Sequence, residues 1–171
     1  MTNEFQEIAP TEITDNVFKL IEQDWMLVTA GAPDHFNTMT ASWGGLGSLW
    51  HELVSFVFVR PQRYTYQFME AASHFTLTFF DEEHRDVLNY CGTHSGRNVD
   101  KIAQTGLTPV TGETGAVYFA EARLVLECKK LYAQDLTAEN FVDMAVRREI
   151  YPTDDFHRVY VGQIVHCLQR A

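Results

Sequence analysis

The sequence predicts a mainly β fold, an antiparallel β-barrel with short helical insertions, on three observations. Several segments rich in Val, Phe and Thr have the length of strands, the stretches of helical periodicity between them are short, and strand–helix–strand units do not repeat along the chain. The chain has 171 residues, of which 46% are hydrophobic. We expect one domain with one core over residues 1–171, because no repeat, low-complexity segment or linker marks a boundary.

Strand-like segments occur along the whole chain and are bounded by turn residues. The predicted strands are residues 25–30, 37–43, 53–59, 75–80, 116–119, 122–133 and 158–167. The first three follow one another through short connections. We therefore expect these three to form an antiparallel meander.

Short stretches of helical spacing lie between the strands. The first begins near Thr11, and a second is predicted from about Gln62 because Pro61 suits a first helical turn. Asp81 is typical of a helix N-cap, and Gly92 of the end of that helix. The other predicted helices are residues 98–104, followed by Gly106, and a helix capped by Thr137 that carries Phe141, Met144 and Ala145.

The charge balance excludes some partners. Acidic residues outnumber basic ones by 23 to 13, which gives a net charge of −10, so neither nucleic acid nor an anionic membrane is expected as a partner. Met1 to Glu4 lack the pattern of a signal peptide, and no apolar run approaches the roughly 18 residues of a membrane span. The three cysteines are widely spaced, which argues against a disulfide framework. A soluble protein of the cytoplasm fits these features.

Common metal-binding motifs are excluded by their spacing. His51-Glu52 begins like a zinc helix, but Ser55 stands where the second histidine should be. Cys91 and His94 could share a helix face, but two ligands without a third favour an ordinary buried thiol over a metal site. We therefore expect no metal site.

Four basic residues lie in two segments that also carry hydroxyl groups, residues 60–65 and 95–101. Guanidinium, ammonium and hydroxyl groups, together with the free N–H groups of a helix start, are what a phosphate monoester requires. The segments predict a site for a small phosphorylated ligand. Two solvated loops whose arginines pair with the abundant carboxylates would show the same pattern.

The segment 37–47 joins an alternating strand to a glycine-rich stretch. Alternation places Asn37, Met39, Ala41 and Trp43 on one face and Thr38, Thr40 and Ser42 on the other. A flat heteroaromatic ring needs such a wall beside accessible backbone N–H groups. Ordinary sheet that contains a tryptophan has the same pattern, so both readings stay open on these residues alone.

Five blocks follow one another in the chain, between Trp25 and Ile164. They are N-T-M-T-A-S-W-G-G, F-V-F-V-R-P-Q-R-Y-T, F-T-L-T-F-F, C-G-T-H-S-G-R-N-V-D-K and D-F-H-R-V-Y-V-G-Q-I. In this order the blocks resemble the flavin reductase-like, FMN-binding split-barrel family, which includes the flavoredoxins. The resemblance implies a split β-barrel with FMN as its cofactor.

The resemblance also implies which residues contact FMN. Those beside the ring and the ribityl chain would be Asn37, Thr40, Ser42 and Trp43. Those at the phosphate end would be Arg60, Arg63, Tyr64, Thr65, Ser95 and Lys101. Arg97 and Asp100 would pair with each other or brace the loop. His157 would lie near the flavin or the nicotinamide, unless it is a strand-end histidine that faces solvent.

The resemblance further implies an FMN-dependent oxidoreductase, typically a homodimer with FMN at the subunit interface. NADH or NADPH would pass a hydride to flavin N5, and a second flavin, a protein or a small molecule would accept the electrons. Because the flavin itself accepts the hydride, no catalytic residue is assigned. Two alternatives remain: a flavoredoxin-like electron-transfer protein that receives electrons from a partner, and a flavin-binding module without turnover.

Overall fold

The computed structural model describes residues 5–171; Met1 to Glu4, on which the expectation about a signal peptide rests in part, lie outside the described residues. The strands in this part of the chain are β1 (Phe5–Glu7), β2 (Met26–Ala32), β3 (His35–Ala41), β4 (Gly44–Leu49), β5 (Glu52–Val59), β6 (His74–Phe79), β7 (Pro109–Thr111), β8 (Val117–Phe119), β9 (Leu124–Asp135) and β10 (Arg158–Arg170). The helices are α1 (Val17–Lys19), which continues as a π-helical turn over Leu20–Asp24, α2 (Thr65–Ala71), α3 (Arg85–Thr93), α4 (Lys101–Thr105) and α5 (Met144–Ile150). None of the helices described is long and apolar enough to cross a membrane.

The main sheet runs in the order β3-β2-β6-β9-β10-β5-β4, with all neighbours antiparallel. In a flat sheet the outer strands of such a path would lie about 29 Å apart, given a strand spacing of about 4.8 Å. However, β3 and β4 are joined by only Ser42 and Trp43. The sheet therefore curls until its two edges meet at this connection, and the fold is a split β-barrel with short helices, as predicted.

The inner face of the curled sheet holds the core. Its largest fully buried side chains include Phe75, Phe79, Leu77, Leu126 and Tyr160. A second cluster packs α3 against the sheet through Leu88 and Cys91. The antiparallel pairing of β9 with β10 is long, because it runs from Leu124 to Asp135, and it joins the two halves of the sheet.

The expected three-strand meander is wrong. The segment 53–59 lies in β5, which pairs with β4 and β10 and not with β3. The strand that the sequence concealed is β4, because three glycines remove its hydrophobic pattern. A Cβ at Gly45 would lie 3.6 Å from Phe56 Cδ2, and one at Gly47 would lie 3.8 Å from Phe56 Cε2. These are ordinary contacts, whereas a Cβ at Gly44 would lie 2.7 Å from Phe56 O, so close packing requires glycine at that position.

Helix ends also differ from the sequence pattern. Near Thr11 there is only a short 3-10 turn, and α1 begins at Val17 after the N-cap Asn16. Gly92 is the last but one residue of α3, which ends at Thr93. A Cβ there would approach Thr40 Cβ to 3.3 Å, so this glycine permits close packing of the helix on β3.

The later helix ends also show one difference and one agreement. Thr137 precedes a 3-10 turn, and Asp143 caps α5 through Ala145 N at 2.8 Å. The left-handed Gly106 ends α4 as predicted, with φ of 73°.

Gly162 supports a prediction about stability. A Cβ at this position in β10 would lie 2.5 Å from Phe75 Cζ and 2.9 Å from Cys128 Cβ, both buried. We expect Gly162→Ala to lower the free energy of unfolding by about 1–3 kcal/mol through overpacking. Urea unfolding measures the change. Gly47→Ala is the matched control, because its Cβ meets only an ordinary contact at 3.8 Å and should change stability by less than about 0.5 kcal/mol. Equal stabilities of the two variants would contradict the packing described.

Candidate functional site

The residues expected to contact a ligand all line two cavities beside β3, which share Met39 and Arg63 in their walls. The polar cavity, of about 240 Å³, is lined by Asn37, Arg63, Tyr64, Thr65, Ser95 and Lys101 of the predicted set. The aromatic cavity, of about 220 Å³, is lined by Thr40, Ser42, Trp43, Arg60, Arg63 and His157. The fold thus brings together segments that are far apart in the sequence.

Close contacts fix the wall of the polar cavity. Asn37 Nδ2 donates to Thr65 Oγ1 at 2.8 Å, which ties β3 to the start of α2. A Cβ at Gly96 would lie 2.1 Å from Asn37 Oδ1 and 3.0 Å from Tyr64 Cδ1. Only glycine fits there, so the loop that carries Ser95 can lie directly against β3.

Lys101 is buried under the polar cavity. Its Nζ donates to Thr38 O at 2.7 Å and to Cys91 O at 2.8 Å. An ammonium has three donors, so one N–H remains beyond these two. Burial lowers the pKa of Lys101 to about 8; Cys91 opposes this shift, and Arg63 adds a smaller lowering effect. An anion in the cavity would therefore be favoured electrostatically by this group.

The two arginines of the polar cavity have different roles. Arg63 donates to Gly92 O at 3.0 Å, and burial lowers its pKa. Arg97 donates to Gln62 O at 3.0 Å and lies over the Tyr64 ring at 4.9 Å. Asp100 caps α4, because its carboxylate accepts from Ile102 N and Ala103 N, and within the described part of the chain it forms no ion pair with Arg97. Arg97 and Asp100 thus brace the loop separately.

The aromatic cavity lies where β3 passes into β4. Trp43 is 46% exposed, and its ring centroid is 5.3 Å from that of His157. Phe58 meets His157 edge-on at 6.5 Å. Thr40 also lines this cavity, but its hydroxyl already donates to Leu88 O. The cavity therefore offers flat apolar walls and few free polar groups.

Arg60 lies on the aromatic cavity and not on the polar cavity with Lys101. Its guanidinium forms an ion pair with Asp155, donates to Ile150 O at 3.2 Å and lies 5.2 Å from the centre of the Tyr151 ring. Arg60 thus fastens the segment before β10 to the cavity wall. Its charge is largely engaged by Asp155.

His157 is buried, in contrast to the solvent-facing alternative. Its Nδ1 lies 2.7 Å from the Tyr151 hydroxyl. Burial lowers the pKa of His157 to about 4, and Arg60 contributes in the same direction. The imidazole is therefore neutral at pH 7.

Sequence reasoning missed several residues of the site. Tyr151 and Asp155 lie in the segment between β9 and β10, and no spacing in the sequence connects them with Arg60. Phe58 was accessible to inference, because alternation along β5 puts it on the face opposite Val57 and Val59. Alternation along β3 places Met39 on the same strand face as Asn37, and Met39 lines both cavities.

A larger cavity, of about 550 Å³, lies elsewhere and is lined by ion-paired groups. Arg123 contacts Asp15 at 2.9 Å and Asp24 at 3.4 Å, while Lys19 contacts Asp24 at 2.6 Å. These charges neutralise one another within the protein. Size alone therefore does not make this cavity the functional site.

The buried His157 predicts how stability depends on pH. The unfolded chain binds a proton at a pKa near 6.5, whereas the folded protein binds it only near 4. Between these values the unfolded state carries the extra proton, so the free energy of unfolding should fall by about 3 kcal/mol as the pH decreases through this window. Urea unfolding at several pH values should show this decrease in the wild type and a smaller one in His157→Gln. An identical pH dependence in both proteins would contradict the burial of a neutral imidazole. His166, whose pKa is raised by Glu7, is common to both proteins and cancels in the comparison.

Fold and geometry together define a split-barrel protein with two adjoining cavities at the seam between its two sheet edges. The chain belongs to the flavin reductase-like domain family, whose model matches residues 18–171. No curated protein matches the sequence.

Solved structures share the fold at low sequence identity. The FMN-binding domain of a flavin reductase-like enzyme from Shewanella baltica aligns with a TM-score of 0.70 and 13% identity, over 97% of this chain and 77% of that chain. Flavoredoxin of Desulfovibrio vulgaris aligns with a TM-score of 0.67 and 23% identity, over 94% and 75%. The NADH:FAD oxidoreductase of Streptomyces globisporus, in complex with NAD and FAD fragments, aligns with a TM-score of 0.65 and 20% identity, over 85% and 74%.

Proposed function

We propose that the chain binds FMN in the two adjoining cavities and acts as a flavin reductase-like oxidoreductase. The donor would be NADH or NADPH, and the acceptor another flavin, a small molecule or a protein. The observation that carries the proposal is that a cationic cavity and an aromatic cavity adjoin each other and share Met39 and Arg63 in their walls. Family membership and the likeness to FMN-binding structures support it.

The residues present fit FMN. Its phosphate needs charge-assisted donors, which Arg63 and Lys101 supply, with hydroxyls of Thr65 and Ser95 in the same wall. Its ring needs flat apolar neighbours, which Trp43 and the other aromatic residues of the second cavity supply. The two volumes together fall within the roughly 300–1,000 Å³ typical of small-molecule sites.

Each group of residues would have a distinct task. The polar cavity holds the phosphate and sets the position of the rest of the ligand. The aromatic cavity orients the ring, and the segment fastened by Arg60 and Asp155 limits the access of water to it. Bound FMN supplies the hydride-accepting and electron-donating chemistry, so no residue of this chain is required as an acid or a base.

The proposal includes a homodimer. Large apolar side chains are exposed on the surface of the protein, among them Trp43 between β3 and β4, Trp50 between β4 and β5, and Tyr132 on β9. Trp50 and Tyr132 lie 6.0 Å apart, edge to face, on neighbouring parts of this surface. A second copy would bury such side chains and would complete the wall beside the exposed Trp43.

Anaerobic mixing of the FMN-loaded protein with NADH or NADPH tests the reaction. Rapid bleaching of the flavin absorbance by one of the two would support the reductase. Tight FMN binding without bleaching would contradict it and favour an electron-transfer protein, for which the net charge of −10 offers a surface that attracts a basic partner.

A further inference from the structure

The segment from Ile150 to His157 is fastened to the aromatic cavity by three contacts with Arg60. The guanidinium donates to Ile150 O, lies over the Tyr151 ring and pairs with Asp155. These contacts hold Tyr151 beside the imidazole of His157. The Tyr151 hydroxyl and His157 Nδ1 are 2.7 Å apart, and both residues are buried.

The direction of this hydrogen bond follows from the needs of the phenol. Among the described residues, His157 Nδ1 is the one hydrogen-bond partner of the Tyr151 hydroxyl. If Nδ1–H donated to the phenol instead, the phenolic hydrogen would be left without an acceptor in a buried place, which is unfavourable. The satisfied arrangement has the phenol donating to Nδ1. A neutral imidazole that accepts at Nδ1 carries its proton on Nε2.

We propose that Tyr151 is a positioning residue that presents His157 to the aromatic cavity as a neutral imidazole with its proton on Nε2. Nδ1 is turned to Tyr151, so Nε2 is the polar ring atom left for the cavity. The site then contains an uncharged N–H donor between the Trp43 and Phe58 rings. The use of this donor toward the flavin ring rests on the proposed function, whereas the tautomer does not.

Besides the neutral phenol of Tyr151, two charged side chains face the imidazole of His157, Arg60 and Asp155. Arg60 disfavours a second proton on the ring, and Asp155 favours it. Because Arg60 and Asp155 are paired with each other, their opposing influences partly cancel. Burial between aromatic rings decides the balance, and the imidazole stays neutral at physiological pH.

Two-bond proton–nitrogen correlation spectra of the nitrogen-15-labelled protein without flavin test the tautomer directly. His157→Gln identifies the signal of His157 among those of the seven histidines. We expect the wild type to hold Nε2–H in more than about 90% of molecules at pH 5.5 to 8, since one good hydrogen bond is worth about tenfold. Predominance of the Nδ1–H tautomer, or an imidazolium in this pH range, would overturn the proposal.

Tyr151→Phe tests the cause of the preference. Loss of the phenol should convert His157 to a mixture of both tautomers. Tyr132→Phe is the matched control, because among the described residues that hydroxyl bonds only with Gln134 Oε1, and it lies outside the cavity. An unchanged Nε2–H preference in Tyr151→Phe would overturn the assignment to Tyr151. If this variant does not fold, the wild-type spectra still decide the tautomer.

FMN binding tests the role of the donor. We expect Tyr151→Phe to weaken FMN affinity about three- to tenfold in the wild-type background and to have no further effect in His157→Gln, because Tyr151 acts through His157. Equal effects in both backgrounds would show that Tyr151 acts on the fold and would overturn the positioning role. If the wild type bound no FMN, the proposed function would fail, and the spectra of the flavin-free protein would still decide the tautomer.

Discussion

The affinity of the protein for FMN is expected to fall by up to about tenfold per pH unit above pH 8, while its affinity for riboflavin stays nearly constant. The cause is Lys101, whose pKa is lowered by burial in the flavin-free protein. A phosphate dianion beside Nζ would raise that pKa again. Below pH 8 Lys101 is protonated in both the free protein and the FMN complex, so the affinity does not change with pH. Above pH 8 Lys101 loses its proton in the free protein but keeps it in the complex, so binding weakens.

Titrations followed by flavin fluorescence between pH 7 and 9.5 measure both ligands under the same conditions. Riboflavin has the same ring without the phosphate, so any titration of the ring affects both curves equally. Lys101→Met provides the matched control, because it keeps the length of the side chain and removes the charge. In that variant the FMN curve should become level. Equal slopes for FMN and riboflavin in the wild type would contradict a contact between Lys101 and the phosphate.

Arg63→Ala is expected to weaken FMN binding by about 1.5–3 kcal/mol, or roughly 10- to 150-fold, and riboflavin binding by less than about threefold. Arg63 lines both cavities and is partly buried, so its charge acts on the phosphate with little screening. Fluorescence titration with each flavin at pH 7 gives the two affinities.

Arg148→Ala is the control for the change in net charge. This arginine of α5 is exposed and lines neither cavity. Its removal should change the FMN affinity by less than about twofold. If Arg63→Ala weakened riboflavin and FMN binding to the same degree, Arg63 would support the shape of the cavity through its bond to Gly92 O rather than bind phosphate.

The positions of most strands were predictable because their pattern is local. Strands β5 and β6 show β-branched and aromatic side chains, and Gly106 marks a helix end where its left-handed conformation requires glycine. The pairing of β5 was not predictable, since its partner β4 is rich in glycine. At Gly44 the reason for glycine is the close approach of Phe56 O, which only the folded chain reveals.

The candidate site also has a part that the sequence predicts and a part that it does not. Segments 60–65 and 95–101 were identifiable by their charge and hydroxyl content, and they do meet in one cavity through Arg63 and Lys101. The separation of Arg60 from Lys101 was not identifiable. It depends on Asp155, which lies 95 residues away in the sequence, and on the ring of Tyr151. Long-range pairs of this kind leave no periodic signal.

The most direct test of the account is the titration of the wild-type protein with FMN, riboflavin and FAD at pH 7. We predict that FMN binds with a dissociation constant at or below tens of micromolar, about −6 to −7 kcal/mol, and more tightly than either of the others. The phosphate explains the preference over riboflavin, and the adenylate of FAD would need additional room. Failure to bind FMN in this range, or equal affinity for FMN and riboflavin, would contradict the central claim that the two cavities form an FMN site.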